Sequence, residues 1–139
     1  MAPVDKINSS FMDSMIDTNS VYQDDVAKAN QRFYDQIAGI YDEVDRRRGG
    51  HIDHTWIDGV FKNILSILQS SKTRTDELSF LDAASGSGFL AQHAQKFFPR
   101  MTLLDISQKM LKRINLSRTL KVCSDTCFIP TKESTFDVI

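Results

Sequence analysis

Cysteine is scarce in this sequence: Cys123 and Cys127 are the only two in 139 residues. Two thiols so close together cannot frame a disulfide scaffold, and without further ligands they cannot hold zinc or an iron–sulfur cluster. A reduced, cytoplasmic setting is the simplest expectation. An excess of charge of one sign is missing too, since 17 basic residues meet 18 acidic ones. No global field therefore draws the chain to nucleic acid or anionic lipid. No apolar run approaches the roughly 18–20 residues of a membrane span. Residues 1–20 lack the basic-then-apolar order of a secretory signal. Internal repeats and low-complexity tracts are absent as well. What is present, 41% hydrophobic and 25% charged residues, is the composition of a soluble globular chain with room for one domain.

The pattern changes along the chain. Residues 1–26 are rich in Asp, Ser and Asn, with one short apolar patch around Phe11, Met12, Met15 and Ile16. They read as a mobile arm, with a partner-docking helix as the alternative. From 27 to 47, Phe33, Ile37, Ile40, Tyr41 and Val44 recur at helical spacing, and Gly49-Gly50 closes the run. A second helix is expected from 54 to 70, carried by Trp56, Val60, Phe61, Ile64, Leu65 and Leu68, with a polar loop from 70 to 77.

Beyond residue 78 the period shortens. Residues 78–83 form an apolar run ending in Ser85-Gly86-Ser87-Gly88, which reads as a buried strand and a tight turn. A helix follows over 89–98, stopped near Pro99. A second strand covers 101–104 and is closed by Asp105. Ser107 is a fitting N-cap for a helix carrying Met110, Leu111 and Ile114. Weaker strands are expected over 121–124, with Cys123 in the core, and from 136. Strands alternating with helices predict an α/β fold with a parallel sheet.

The loop Asp82-Ala-Ala-Ser-Gly86-Ser-Gly88 is the chemical centre. Glycines let the strand turn sharply into the helix and keep side chains away from anything bound above it. The helix start offers free N–H groups to a carboxylate or phosphate. A plain structural turn is the alternative for this motif taken alone. Asp105, ending the next strand, can accept from both hydroxyls of a ribose, at about 1.5–3 kcal/mol per bond to a charged acceptor. Its alternative is a strand-end or capping acid. Together the two features point to an adenosine-containing ligand. Gly86-x-Gly88-x-x-Ala91 also fits a dinucleotide turn, so an NAD-binding oxidoreductase fragment stays in play. Asp82 argues against it, because a carboxylate there repels pyrophosphate but suits the ammonium and sulfonium of S-adenosylmethionine.

These motifs carry a family resemblance. Phe80-Leu-Asp-Ala-Ala-Ser-Gly-Ser-Gly88 resembles the first motif of class I S-adenosylmethionine-dependent methyltransferases, and Leu103-Leu-Asp-Ile-Ser107 their acidic second motif. Ser124-Asp125-Thr126, with Phe136-Asp-Val-Ile139, is similar to their third region and fourth strand. Phe33-Tyr-Asp-Gln-Ile-Ala-x-x-Tyr41-Asp42 resembles the N-terminal helix of small-molecule members related to the quinone-modifying group. The resemblance implies a Rossmann-like parallel sheet with flanking helices and an N-terminal helical extension. In it, 27–70 form a cap segment and 78–139 a cofactor-binding region, while the later strands of a seven-stranded sheet are missing.

By the same resemblance Asp82 holds the methionine amino group, directly or through water, and Gly86 and Gly88 admit the cofactor to the backbone. Asp105 takes the ribose, Ile106 and Met110 pack on the adenine, Asp125 and Thr126 meet its edge, and Tyr41 covers the site. Core packing is an equal alternative for Ile106 and Met110. Ala84 departs from the pattern, standing where the family commonly has glycine, and its methyl group would crowd the methionine end.

The acceptor is expected to be a small molecule, and no catalytic base is nameable from the sequence. A non-catalytic S-adenosylmethionine-binding or partner protein is a third reading, and an exposed fourth-strand edge predicts association with another chain. His51, Asp53 and His54 favour helix capping over metal binding. Arg46-Arg47-Arg48 reads as a solvated cluster at a helix end.

Overall fold

The computed structural model describes residues 24–47, 54–70, 74 and 77–139. Residues 24–37 are helical (α1), and after a turn come α2 (Tyr41–Arg47) and α3 (His54–Ser70). Strands and helices then alternate: β1 (Ser79–Ala83), α4 (Phe89–Ala94), β2 (Arg100–Asp105), α5 (Gln108–Arg113) and β3 (Thr119–Cys123). A 3-10 turn, Thr126–Phe128, follows. The strands form one parallel sheet in the order β1-β2-β3, with Ser79 opposite Arg100 and Met101 opposite Thr119. The expected α/β, Rossmann-like sheet with flanking helices is what the chain forms.

β2 is the middle of that sheet, and Met101 through Asp105 are all buried. Parallel strands linked by helical crossovers are covered on both faces, so a central strand reads as a continuous run and not as an alternation. One layer of the core is aromatic. Phe61 of α3 lies 5.7 Å from Phe80 on β1 and 5.6 Å from Phe98, centroid to centroid, and Phe80 stacks on Phe98 at 5.0 Å. Ile57 is buried beside Phe61, and Ile64, Leu65 and Leu68 pack against the cluster. The same helix is tied to α4 by a polar group of three. Asp58 Oδ1 lies 2.7 Å from His93 Nδ1, and Lys96 Nζ donates to Asp58 Oδ2 at 2.9 Å.

The fourth strand is marked by a single parallel bridge, Phe80 with Val138, on the free side of β1. Leu81 N donates to Val138 O at 2.9 Å. Asp137 Oδ2 accepts from Ser79 N at 2.8 Å and from Ser79 Oγ at 2.7 Å. The carboxylate thus fastens this segment to the start of β1.

Several expectations change. The run from 27 to 47 is two helices, broken by a turn at 38–40 in which Ile40 N donates to Ile37 O. Gly39 sits in that turn, where its large backbone entropy penalises a continuous helix. The break rotates the apolar stripe: Phe33 and Ile40 are 52% and 54% exposed, while Ala38 is buried and Ile37 and Val44 are half-buried. Trp56 is likewise exposed, and Ile57 takes its place on the inner face of α3. Cys123, expected in the core, is exposed at the end of β3, which has a neighbour on one side only among the described residues. α4 and α5 are shorter than expected, and Ile114 leaves the helix in an extended conformation. Most of the expected N-terminal arm, the Gly49-Gly50 stop, the Arg46–Arg48 side chains, and His51, Asp53 and the His54 side chain lie outside the described residues. Residues 24–26 are already helical.

Candidate functional site

The carboxyl ends of β1 and β2 face α1 and α2 across a cleft of about 360 Å³. It is lined by Asn30, Tyr34 and Tyr41 on one side and by Ala84, Gly86, Asp105, Ile106, Met110, Asp125 and Thr126 on the other. Ligands of open α/β sheets sit at this end of the strands.

The turn after β1 owes its shape to backbone the sequence makes available. Ala84, Gly86 and Gly88 all have positive φ, at 62°, 53° and 82°. A Cβ on Gly86 would meet nothing within 4 Å, so that glycine serves conformation and an open approach. A Cβ on Gly88 would lie 2.9 Å from Ile114 Cγ1, so that one also serves close packing of turn and helix. Ala84 carries its methyl group in the left-handed region, where an L-residue is strained by about 1–2 kcal/mol.

Asp105 closes the turn from the neighbouring strand. Its Oδ2 accepts from Gly86 N at 2.7 Å and its Oδ1 from Ser107 N at 2.8 Å. Each carboxylate oxygen has a second lone-pair direction, so acceptor capacity is left for a ligand. Ser107, fully buried, caps α5 as expected by accepting from Met110 N at 3.1 Å. Asp125 caps the 3-10 turn by accepting from Cys127 N at 2.9 Å.

Asp82 and Gly88 do not line the cleft. Asp82 is 5% exposed under the turn, and its carboxyl is pushed up to about 6 by burial, with the negative charge of Asp105 adding to the shift. A bond from the Ala91 backbone amide works in the opposite direction. Asp82 Oδ2 and Ser85 Oγ are buried and have no hydrogen-bond partner. Orphaned polar atoms of this kind cost about 1–3 kcal/mol each and ask for an occupant nearby.

Eight of the ten residues singled out in the sequence therefore meet in one cleft, from four separate segments. Asn30 and Tyr34 were not singled out. Their signal was an i, i+4 pair on one helix face, readable only once α1 is known to turn that face to the sheet. No group of three or more metal-ligating side chains occurs among the described residues.

The strand–glycine turn–helix, the acid on the next strand and the capped helix behind it define a Rossmann-like fold. Residues 81–139, less than half of the chain, match the family described as a methyltransferase domain. Among solved structures, the plantazolicin methyltransferase BpumL, in complex with a triazolic desmethylPZN analog and SAH, shares the fold with a TM-score of 0.54. That match is 16% identical and covers 86% of this chain and 48% of that one. A DhpI–SAH complex matches with a TM-score of 0.45 and 20% identity, over 71% of this chain and 45% of that one. This chain thus spans less than half the length of either solved structure. No curated protein matches it significantly.

Proposed function

We propose that the cleft binds S-adenosylmethionine, and that the chain carries the cofactor-binding part of a methyltransferase acting on a small molecule. The observation that carries this reading is the convergence of the glycine turn, Asp105, Asp125 and the two tyrosines on one cleft that, among the described residues, has no Lys or Arg in its lining. A dinucleotide brings a pyrophosphate that two carboxylates would repel and no cation would balance. A ligand with an ammonium and a sulfonium meets the opposite field.

In this reading Asp105 accepts from the ribose hydroxyls with the lone pairs its backbone partners leave over, and Ile106 and Met110 flank the base. Asp125 and Thr126 meet the base edge. Asp82, below the turn, is drawn to its charged form by a ligand ammonium, directly or through water. Gly86 and Gly88 leave the backbone bare, whereas the Ala84 methyl narrows the methionine end. Residues 27–70 supply the cap and 78–139 the cofactor region. When bound, the cofactor offers an electrophilic methyl group to an acceptor. The residues here orient it and keep Tyr34 and Tyr41 over the opening. Two exposed thiols suit a reduced cytoplasmic setting.

Calorimetric titration with S-adenosylmethionine, S-adenosylhomocysteine and NAD tests this. Micromolar binding of the first two, and none of NAD, is expected. Asp105→Asn is the preferred control, since Asp105→Ala would also strip Gly86 N and Ser107 N of their acceptor. NAD binding, or no binding by a folded chain, would overturn the reading.

A further inference from the structure

The α1–α2 segment shows much of its apolar surface to solvent: Val26, Phe33 and Ile40 are 44%, 52% and 54% exposed. Burial of these side chains does not hold it over the cleft. Polar bonds to α5 stand in that place. Asp35 Oδ1 accepts from Ser107 Oγ at 2.6 Å and from Lys109 N at 3.2 Å, and Arg113 donates to Asp42 at 3.1 Å.

The Asp35 bonds continue inward. Ser107 donates its hydroxyl to Asp35 and its backbone N–H to Asp105 Oδ1, while Asp105 Oδ2 accepts from Gly86 N. One line of short bonds thus runs from the cap helix, through the fully buried Ser107, to the carboxylate in the cleft and the glycine turn beyond it. Asn30, about one and a half turns before Asp35, and Tyr34, its neighbour on α1, line the cleft together with Tyr41 of α2.

We propose that Asp35 is a positioning residue: through Ser107 it seats the α1–α2 cap over the cleft and couples the cap's position to the orientation of Asp105. The coupling to ligand rests on the S-adenosylmethionine reading; the seating of the cap does not. Asp35 touches no part of the cleft itself, so its effect is transmitted. Its carboxyl is held below the ordinary range, chiefly by the Ser107 hydroxyl.

The test uses the full chain and two readouts. In ligand-free protein, amide hydrogen exchange is compared between wild type and Asp35→Ala. The Lys109 amide and the amides of 24–37 exchange about tenfold faster once the acceptor is gone. Alanine raises the intrinsic helix propensity of α1, so a merely local role predicts slower exchange there, and unchanged or slower exchange overturns the seating.

In the second readout S-adenosylhomocysteine is titrated. Asp35→Ala weakens binding about tenfold through faster release, Asp35→Asn, which keeps an acceptor oxygen, weakens it less, and Asp35→Ala with Ser107→Ala costs less than the sum of the two single substitutions, the remainder being the lost cap on Met110 N. Equal affinity, or full additivity of the two substitutions, overturns the coupling. If wild type binds no S-adenosylhomocysteine, the cofactor reading and the coupling fall together, and the exchange result still decides the seating.

Discussion

Asp82 shows how one buried carboxyl sets a pH dependence. Its folded value of about 6 lies above the roughly 3.9 of an unfolded aspartate, so the folded chain holds this proton more tightly. The stabilisation is complete below about pH 4 and is lost as pH rises through about 6, a change of about 3 kcal/mol at most. Denaturant melts from pH 4 to 7.5 should show that decline, with Asp82→Asn flattening it. Ligand affinity should run the other way, because a ligand ammonium favours the ionised acid. S-adenosylmethionine binding is expected to strengthen from pH 5 to 7 in wild type and not in Asp82→Asn.

The turn residues separate conformation from packing. Ala84→Gly relieves a left-handed alanine at some cost in unfolded-state entropy, for a net gain of about 0.5–1 kcal/mol and a wider methionine end. Gly86→Ala has open space and costs about 1–2 kcal/mol from φ alone. Gly88→Ala adds a collision with Ile114, itself buried, and should cost about 1–3 kcal/mol more. Thermal melts of the three variants should rank in that order.

Among the elements, α3 depends on its aromatic anchor. Phe61→Ala removes the ring that meets Phe80, Phe97 and Phe98, and a loss of about 3–5 kcal/mol is expected in equilibrium unfolding. The boundaries of α3 were readable because its stripe is long and uninterrupted. The β1 turn and the second strand's acid were readable for a different reason: glycine, strand and carboxylate follow one another within a single βαβ unit. The cap was read less well. Gly39 stands inside a run of good helical spacing, and nothing local says that Phe33 lies on the solvent side of α1 while Tyr34 lines the cleft. Cys123 misled in the same way, since its β-type surroundings say nothing of whether the strand has two neighbours or one. Asp35 was invisible as a partner of Ser107, because 72 positions separate them and only the tertiary fold brings them together.

For the molecule as a whole, charge is distributed to suit the cleft. The chain is nearly neutral, with a net charge of −1, yet among the described residues the cleft lining holds two acids and no base. That local field discriminates ligands by sign without attracting polyanions to the rest of the surface. Binding of a cationic ligand should therefore weaken modestly as salt rises from 0.05 to 0.5 M, by calorimetry at neutral pH, as the Debye length shrinks from about 14 to 4 Å.

The bond from Gly86 N to Asp105 has a further consequence, in the order of folding. Asp105 reaches the turn only after β2 has come alongside β1, since Ser85 N also donates to Leu104 O across that pair. The turn's positive-φ residues gain their compensation at that moment and not before. The turn side of the cleft is thus a product of strand pairing. A nascent chain that has made β1 and its glycines, but not yet β2, has no receptor for a nucleotide to recognise. A ligand can reward completion of this fold but cannot guide its beginning.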